Sequence, residues 1–373
     1  MLKYRIKPLD PLISRDARQF GAGSPMHSLN WLTNTVIAGA VRTVLWKENE
    51  NRDSRDTLEA LKKIPVRGNF PILDGRIYFP RPLDIIKSAK DIYQIRPGEF
   101  PDNSGANMPI DGLMPSFPDA EEDFKPEKLN AFWEKDMMIH WLMHGKNNFT
   151  LKNECTLSAP AKDERVHASI DTSTGTATDG KLFSTTGLDF IHRNGNDKEF
   201  ELNRFSQEEI SIDINDMNLP ARFIAPVGGE RRLVEFSRHE EDNALWKYPE
   251  NLQETIEDNL RLVLASPAIF INSGWLPDWI DAVTLTGTIP NTNVTVKLVS
   301  AVTERWQPVS GWSYESSTSL RHKPMRRAVP AGSVYFFRIT NGTLETKSIW
   351  LNSICTDEQN INDGFGLVLA GKW

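Results

Sequence analysis

An α+β fold is predicted by three features of this 373-residue chain. Both ends alternate strand and helix signals, the middle reads as consecutive short strands, and the first long helix has a single apolar face. Leu2, Tyr4 and Ile6 alternate with Lys3, Arg5 and Lys7, the period-two pattern of a half-buried strand. Pro8 and Pro11 end it. Residues 13–23, ISRDARQFGAG, are polar and glycine-bearing and read as a loop. Pro25 and Ser28 mark a helix start, and Leu29, Leu32, Val36, Ala40, Val41, Val44 and Leu45 follow at helical spacing. Residues 49–56 are a charged break, and 57–64 predict a short helix.

In FPILDGRIYF, residues 70–79, two apolar runs flank Asp74-Gly75, a two-residue hairpin signal. Residues 97–126 are rich in proline and glycine and predict an irregular insertion. Leu129, Phe132, Trp133, Met137, His140 and Trp141 predict an amphipathic helix closed by Gly145. Strands are expected at 166–171, 181–190 and 210–214, and at 222–227 and 232–236 around Gly228-Gly229. Leu260 to Ile271 is apolar and predicts a central strand. A short helix at 277–282, strands at 294–302 and 334–339, and a helix at 344–354 follow. The last twelve residues, NDGFGLVLAGKW, predict a glycine turn feeding a terminal strand.

The first half thus offers strand, helix, hairpin and helix. The last third offers strand, short helix, strands, helix and strand. Both orders resemble the β-α-β-β-α-β ferredoxin-like unit, whose open sheet face also serves RNA-recognition modules. Two such RRM-like domains in tandem are therefore expected. Residues 1–250 would hold the first, with insertions and the strand-rich middle; residues 251–373 would hold the second, with its glycine-rich loop.

Charged residues are 25% and hydrophobic ones 39% of the chain, as in ordinary globular proteins. No apolar run approaches the ~20 residues of a membrane span, and the N-terminus lacks a signal-peptide core. A cytoplasmic, membrane-free protein is expected. Cys155 and Cys355 are too few and too far apart for a disulfide framework. The net charge of −7 argues against a non-specific nucleic-acid scavenger, yet the basic residues cluster. Arg15 and Arg18 lie together near the start, and Arg321, His322, Lys323, Arg326 and Arg327 fall within seven positions.

His140 and His144 share a helix face, but a zincin would carry Glu where Trp141 stands. No His/Cys cluster exists, so neither a metal nor another cofactor is expected. Nucleophile-elbow and Walker A motifs are absent. Arg15-Asp16-x-Arg18 can grip a phosphate, with Asp16 orienting an arginine; the same residues also make an ordinary surface ion pair. The turn Gly364-Phe365-Gly366 can present backbone N–H groups to an anion, or simply close a tight turn.

Several segments together resemble a known family: PLISRDARQFG, DERVHASIDTSTGTATDGKLFSTTGLDF, RLVLASPAIFINSGWLP, VSGWSY with PMRRAVPAGSVYFF, and DGFGLVLAGKW. They are similar to the RAMP superfamily, and more narrowly to the third subunit of the Cmr complex, the type III-B CRISPR effector of antiviral defence. The resemblance implies a non-catalytic RNA-binding subunit that holds the crRNA 5′ handle of the guide RNA. It implies docking of the large polymerase/cyclase-like subunit, a neighbouring RAMP backbone subunit, and a β-hairpin thumb, in the strand-rich middle, pressing on the guide–target RNA duplex. Carried onto this chain, the RNA contacts fall on Ser14, Arg15, Asp16 and Arg18, on Gly364, Phe365 and Gly366, and on Lys181, Arg326 and Arg327.

Two other readings stay open at this point. One is a metal-independent endoribonuclease that processes precursor guide RNA with His27 or His322 as base. The other is a sugar-binding protein that uses some of the eleven tryptophans.

Overall fold

The computed structural model describes all residues except 1, 17–25, 27, 52–53, 121–122, 194–204, 208, 215–217, 253–254, 272–273 and 317–318. The side chains of 192–193, 205–207, 312–316 and 319–322 also lie outside the description. The fold is mixed α/β and mostly strand. Two compact units interleave along the chain. Met1–Ile77, Ala159–Leu245 and Pro308–Arg326 form one; Tyr78–Ser158, Trp246–Gln307 and Arg327–Trp373 form the other.

The first unit is built on an antiparallel sheet ordered Arg222–Pro226, Leu233–Arg238, Leu2–Pro8, Glu209–Ile214, Val66–Leu73. Alternation along Leu2–Pro8 sends Tyr4 and Ile6 into a core with Ile210, Ile212 and Phe236. Helix Asn34–Glu48 packs Ile37, Ala38, Val41 and Leu45 onto the same core. It starts later than its apolar spacing predicts. Leu29 and Leu32 precede it in bending, non-helical chain: the Leu29 N–H donates to the Ser14 carbonyl at 2.9 Å, and Leu32 is buried in the core. Periodicity alone could not separate these apolar residues from the helix they lead into. Helix Arg55–Lys62 is capped by the Ser54 hydroxyl, which accepts from the Thr57 N–H at 3.0 Å. Asp74 and Gly75 have φ of 50° and 74°, the left-handed pair that a two-residue hairpin turn needs.

The strand-rich middle contributes a long hairpin, Ala161–Ile170 paired with Ala177–Asp189. One face of its outer part is exposed, with Val166 75% and Leu182 64% accessible, while His167 and Phe183 stack half-buried on the other. Leu188 and Thr185 bury its base.

The second unit holds a sheet ordered Thr286–Thr288, Thr295–Val302, Val334–Asn341, Asn259–Leu264, Val368–Lys372. Asn259–Leu264 lies between two antiparallel partners, and Leu260, Leu262, Val263 and Leu264 are fully buried, which explains an apolar run that only the equally buried Arg261 interrupts. The strand stops short of the run expected to Ile271. Helix Lys135–His144 ends at Gly145, whose N–H donates to the Trp141 carbonyl at 2.9 Å. Its forward third, expected as helix, is the strand Phe132–Glu134, which pairs with Tyr78–Pro80. The Leu142 carbonyl of this helix lies where a side chain on Gly371 would stand, so the terminal strand needs glycine there.

Three further expectations change. Residues 277–282 form turns rather than a helix. The helix expected over 344–354 is Thr346–Ile349 after the short strand Leu344–Glu345. Within the irregular insertion, Ser116–Pro118 pairs with Ile92–Pro97. Among the described residues no helix is long and apolar enough to cross a membrane.

Candidate nucleic-acid interface

The loop after the first strand is braced from several sides. Leu12 and Leu188 exchange backbone hydrogen bonds of 2.9 and 2.7 Å, tying the loop to the base of the long hairpin. The Ile13 carbonyl accepts the Gly229 N–H at 2.8 Å. The Ser14 hydroxyl accepts the Thr33 N–H at 3.2 Å, just before the helix Asn34–Glu48. Arg15 bridges to Ser28, whose hydroxyl donates to the Thr186 carbonyl of the hairpin. Lys162 donates to the Leu29 carbonyl at 2.8 Å. The loop and the hairpin root therefore share one framework.

Ser14 and Asp16 are buried within that framework, while Arg15 between them is exposed. An extended backbone alternates its side chains in this way. Arg18 lies outside the described residues, as do Gly21, Gly23 and His27. Lys181 is exposed beside Gly180 (φ 70°), where the hairpin register shifts between Ala177 and Leu182. Lys162 was passed over in the sequence, and Gly229 was read only as a hairpin signal; the Lys162 ammonium and the Gly229 N–H act through long-range contacts that no local spacing encodes.

The open sheet face expected of an RNA-recognition module is closed in the first unit. Its outward residues are charged and satisfy one another. Asp213 accepts from Lys3 at 2.7 Å and from Arg67 at 2.6 Å. Asp242 holds Arg5 at 2.7 Å, and Glu209 lies 3.3 Å from the same guanidinium. Ser211, Asp213 and Asp242 are fully buried. Burial pushes the Lys3 pKa down against the pull of Asp213, whereas the hydrogen bond to Asp242 raises that of Arg5. These side chains knit a sheet and offer no aromatic platform for bases.

The glycine turn of the second unit also departs from expectation. Gly364 and Gly366 do have positive φ, 81° and 73°. The N–H groups nevertheless turn inward. Gly364 donates to Ile361, Phe365 to Asn360, and Gly366 to Pro267, at 3.0, 3.0 and 2.8 Å. The Leu367 N–H donates to the Ser266 hydroxyl at 2.9 Å. All of 362–370 is buried, Phe365 completely. A side chain on Gly366 would stand 2.6 Å from the Cys355 sulfur and 3.2 Å from its backbone nitrogen. Glycine is required here by packing, and the expected N–H cradle for a phosphate is spent within the fold. Burial also pushes the Cys355 thiol up to about 11.

Arg326 and Arg327 were expected as RNA contacts within a basic cluster. They lie near the end of strand Ser319–Ala328, which pairs with Gln307–Ser316. Arg327 is exposed and its guanidinium stacks over the Trp306 ring at 4.9 Å. Among the described residues no group of three or more His, Cys, Asp or Glu is placed to hold a metal ion. The rings of His140 and His144 lie 4.9 Å apart, and Phe149 packs 5.8 Å from the first.

The model of the family described as CRISPR-associated protein (Cas_Cmr3) matches residues 4–373. The chain belongs to this family. No curated protein matches it. Among solved structures, this Cas_Cmr3-family chain is similar to one from the type III-B Cmr-beta complex bound to cognate target RNA. The two are 16% identical, with 90% of this chain and 86% of that one covered and a TM-score of 0.49. A second structure of that complex, bound to cognate target RNA and AMPPnP, gives the same identity and coverage with a TM-score of 0.48. A chain of the Csm3-Csm4 subcomplex in the type III-A CRISPR-Cas interference complex is 12% identical, with 92% and 94% covered and a TM-score of 0.35.

Proposed function

We propose that this protein is the third, non-catalytic RAMP subunit of a type III-B effector and that it grips the crRNA 5′ handle of the guide. The observation that carries this reading is the setting of Arg15. It is an exposed guanidinium on a segment braced at Leu12, Ile13 and Ser14, at the root of an exposed hairpin. A pre-organised cation of this kind holds a phosphate with little ordering cost. The hairpin Ala161–Ile170 with Ala177–Asp189 would be the thumb that meets the guide–target RNA duplex, with Lys181 near its tip. Arg326 and the Arg327–Trp306 stack would be further RNA contacts. Gly364, Phe365 and Gly366 would support the site as scaffold rather than through free N–H donors.

The two ferredoxin-like domains are supported by strand order. In each sheet the first strand lies between the third and the fourth, with the second beside the third, as the β-α-β-β-α-β unit requires. The net charge of −7 suits a subunit whose other faces meet protein, here the large polymerase/cyclase-like subunit and a neighbouring RAMP backbone subunit. Such a protein works by positioning RNA, in the cytoplasm, in antiviral defence.

Arg15→Ala is expected to weaken binding of a labelled repeat-derived RNA about tenfold, the worth of one charge-assisted contact of about 1.4 kcal/mol. Electrophoretic shift measures the affinity, and pull-down of the assembled complex measures its formation. Equal affinity and equal assembly would defeat the proposal. Incubating the purified chain with repeat RNA in EDTA tests the non-catalytic part: site-specific cleavage lost on substituting His27 or His322 would replace it with the endoribonuclease reading.

A further inference from the structure

The hairpin turn between Arg222–Pro226 and Leu233–Arg238 carries a backbone cost that its own contacts do not explain. The Val227 N–H donates to the Arg232 carbonyl at 2.8 Å and closes a loop over residues 228–231. Gly228 has φ of 74°, and a side chain there would collide with the Ile13 carbonyl oxygen. Gly229 donates its N–H to that oxygen. Glu230 and Arg231 then both adopt left-handed φ, 55° and 52°. Asparagine or glycine takes that conformation at much lower cost, and successive non-glycine residues there are uncommon.

Each side chain must therefore return something for its place. Glu230 does so inside the protein, pairing with Arg232 at 2.9 Å. Arg231 does not. It is exposed, and its side chain has no ion pair, hydrogen bond or ring partner among the described residues. Among the described residues neither packing nor internal pairing accounts for its place, which points to a partner outside the chain. A guanidinium selects an anion with paired oxygens, a phosphate or a carboxylate. The place decides between them. Gly229 is clamped to Ile13, and Arg15 lies two residues beyond Ile13, as Arg231 lies two beyond Gly229. At no more than about 3.6 Å per residue, both arginines stay within about 7 Å of one clamp. Strain of this sort gathers where a fold holds a group ready for a ligand.

We propose that Arg231 is a phosphate contact for single-stranded RNA, held by the strained Gly228-Gly229-Glu230-Arg231 turn next to the Arg15 loop. The inference rests on the RNA-binding reading of that loop and adds a second, sequence-distant cation to it. An acidic segment of a neighbouring protein is the competing partner.

The test uses the full chain and a 5′-fluorescent RNA of repeat sequence, with affinity read by anisotropy across a salt series. Arg231→Gly removes the guanidinium and relieves the backbone together. The expected result is a thermal midpoint unchanged or raised, an RNA affinity lowered several-fold, and a slope of log affinity on log salt reduced by about 0.7. Arg55→Ala, an exposed arginine of the same unit, is the control for loss of net charge. An unchanged affinity and slope, or a fall no larger than that of Arg55→Ala, would overturn the proposal and point to a protein partner. If Arg231→Gly does not fold, Arg231→Asn, which tolerates the same φ, is read by the same criteria. Wild-type chain that does not bind the RNA would remove the underlying reading. Loss on Arg15→Ala without loss on Arg231→Gly would sink this inference alone.

Discussion

The two glycine turns, Gly228-Gly229 in the first unit and Gly364-Phe365-Gly366 in the second, solve the same steric problem and end differently. Each uses glycine because another backbone or a sulfur atom occupies the space of a side chain, Ile13 in one case and Cys355 in the other. In the second unit the turn is sealed. Its N–H groups donate to Ile361, Asn360 and Pro267, and Phe365 fills the core. In the first unit the turn docks on a loop and leaves exposed cations at its rim, Arg15 and Arg231. A glycine-rich sequence therefore marks close approach, and what lies around the approach decides whether a ligand can use it.

The same contrast runs through the buried charges. In the second unit Arg261 and Asp84 are both wholly inaccessible and lie 2.5 Å apart. Trp141 completes the site, donating its indole N–H to Asp84 at 2.9 Å and accepting from Arg261 on its carbonyl at 2.5 Å. The ion pairs of the first unit keep some access to water, with Arg5 17% and Arg67 22% exposed at the side chain. Removing one partner of a sealed pair strands a charge in low dielectric. Asp84→Ala is accordingly expected to be the most damaging change, costing about 3–5 kcal/mol by urea denaturation. A loss below about 1 kcal/mol would show that the pair is hydrated.

Next in size are the glycines. Gly366→Ala and Gly228→Ala each combine positive φ with a steric clash and should each cost about 2–3 kcal/mol. They separate on RNA. Measured per folded molecule, Gly366→Ala should keep wild-type affinity, whereas Gly228→Ala should lose affinity with the Arg15 loop. Equal losses of affinity would erase the distinction between the two turns. The smallest effect concerns the thiols. Cys355 is buried with its pKa raised to about 11, so at pH 8 it holds almost no thiolate, while Cys155 is half-buried. Alkylation of the native protein at pH 8 should label Cys155 alone, with Cys355 reacting after denaturant is added. Early labelling of Cys355 would mean that the glycine turn opens.

Much of the fold was legible because it follows local rules. The alternation over Leu2–Pro8, the Asp74-Gly75 turn and the strand at Val334–Asn341 each announce themselves within ten residues. The failures have one cause. Leu32, Phe132, Trp133 and Ile280 are apolar at helical spacing, yet they are buried in non-helical chain, Phe132 and Trp133 because the strand Tyr78–Pro80 pairs with them and Ile280 in a turn that bridges to Gly287. Apolar spacing reports burial and cannot say which backbone delivers it. Of the site, Arg15 was legible as a cation in a glycine-bearing loop. The brace around it was not, since Leu188, Gly229 and Lys162 come from well over a hundred residues away.

By itself the sequence determined the family, the mixed α and β character and most strands of both sheets, because these depend on side-chain size, polarity and period. The tertiary structure alone decided what the glycines are for. Backbone N–H groups that look free in a sequence are claimed by whichever carbonyls the fold brings near, and a guanidinium becomes available only where no internal acceptor reaches it. That is why Gly364-Phe365-Gly366, the stronger motif on paper, closes a core, while Arg231, in a hairpin read only as a turn, is exposed.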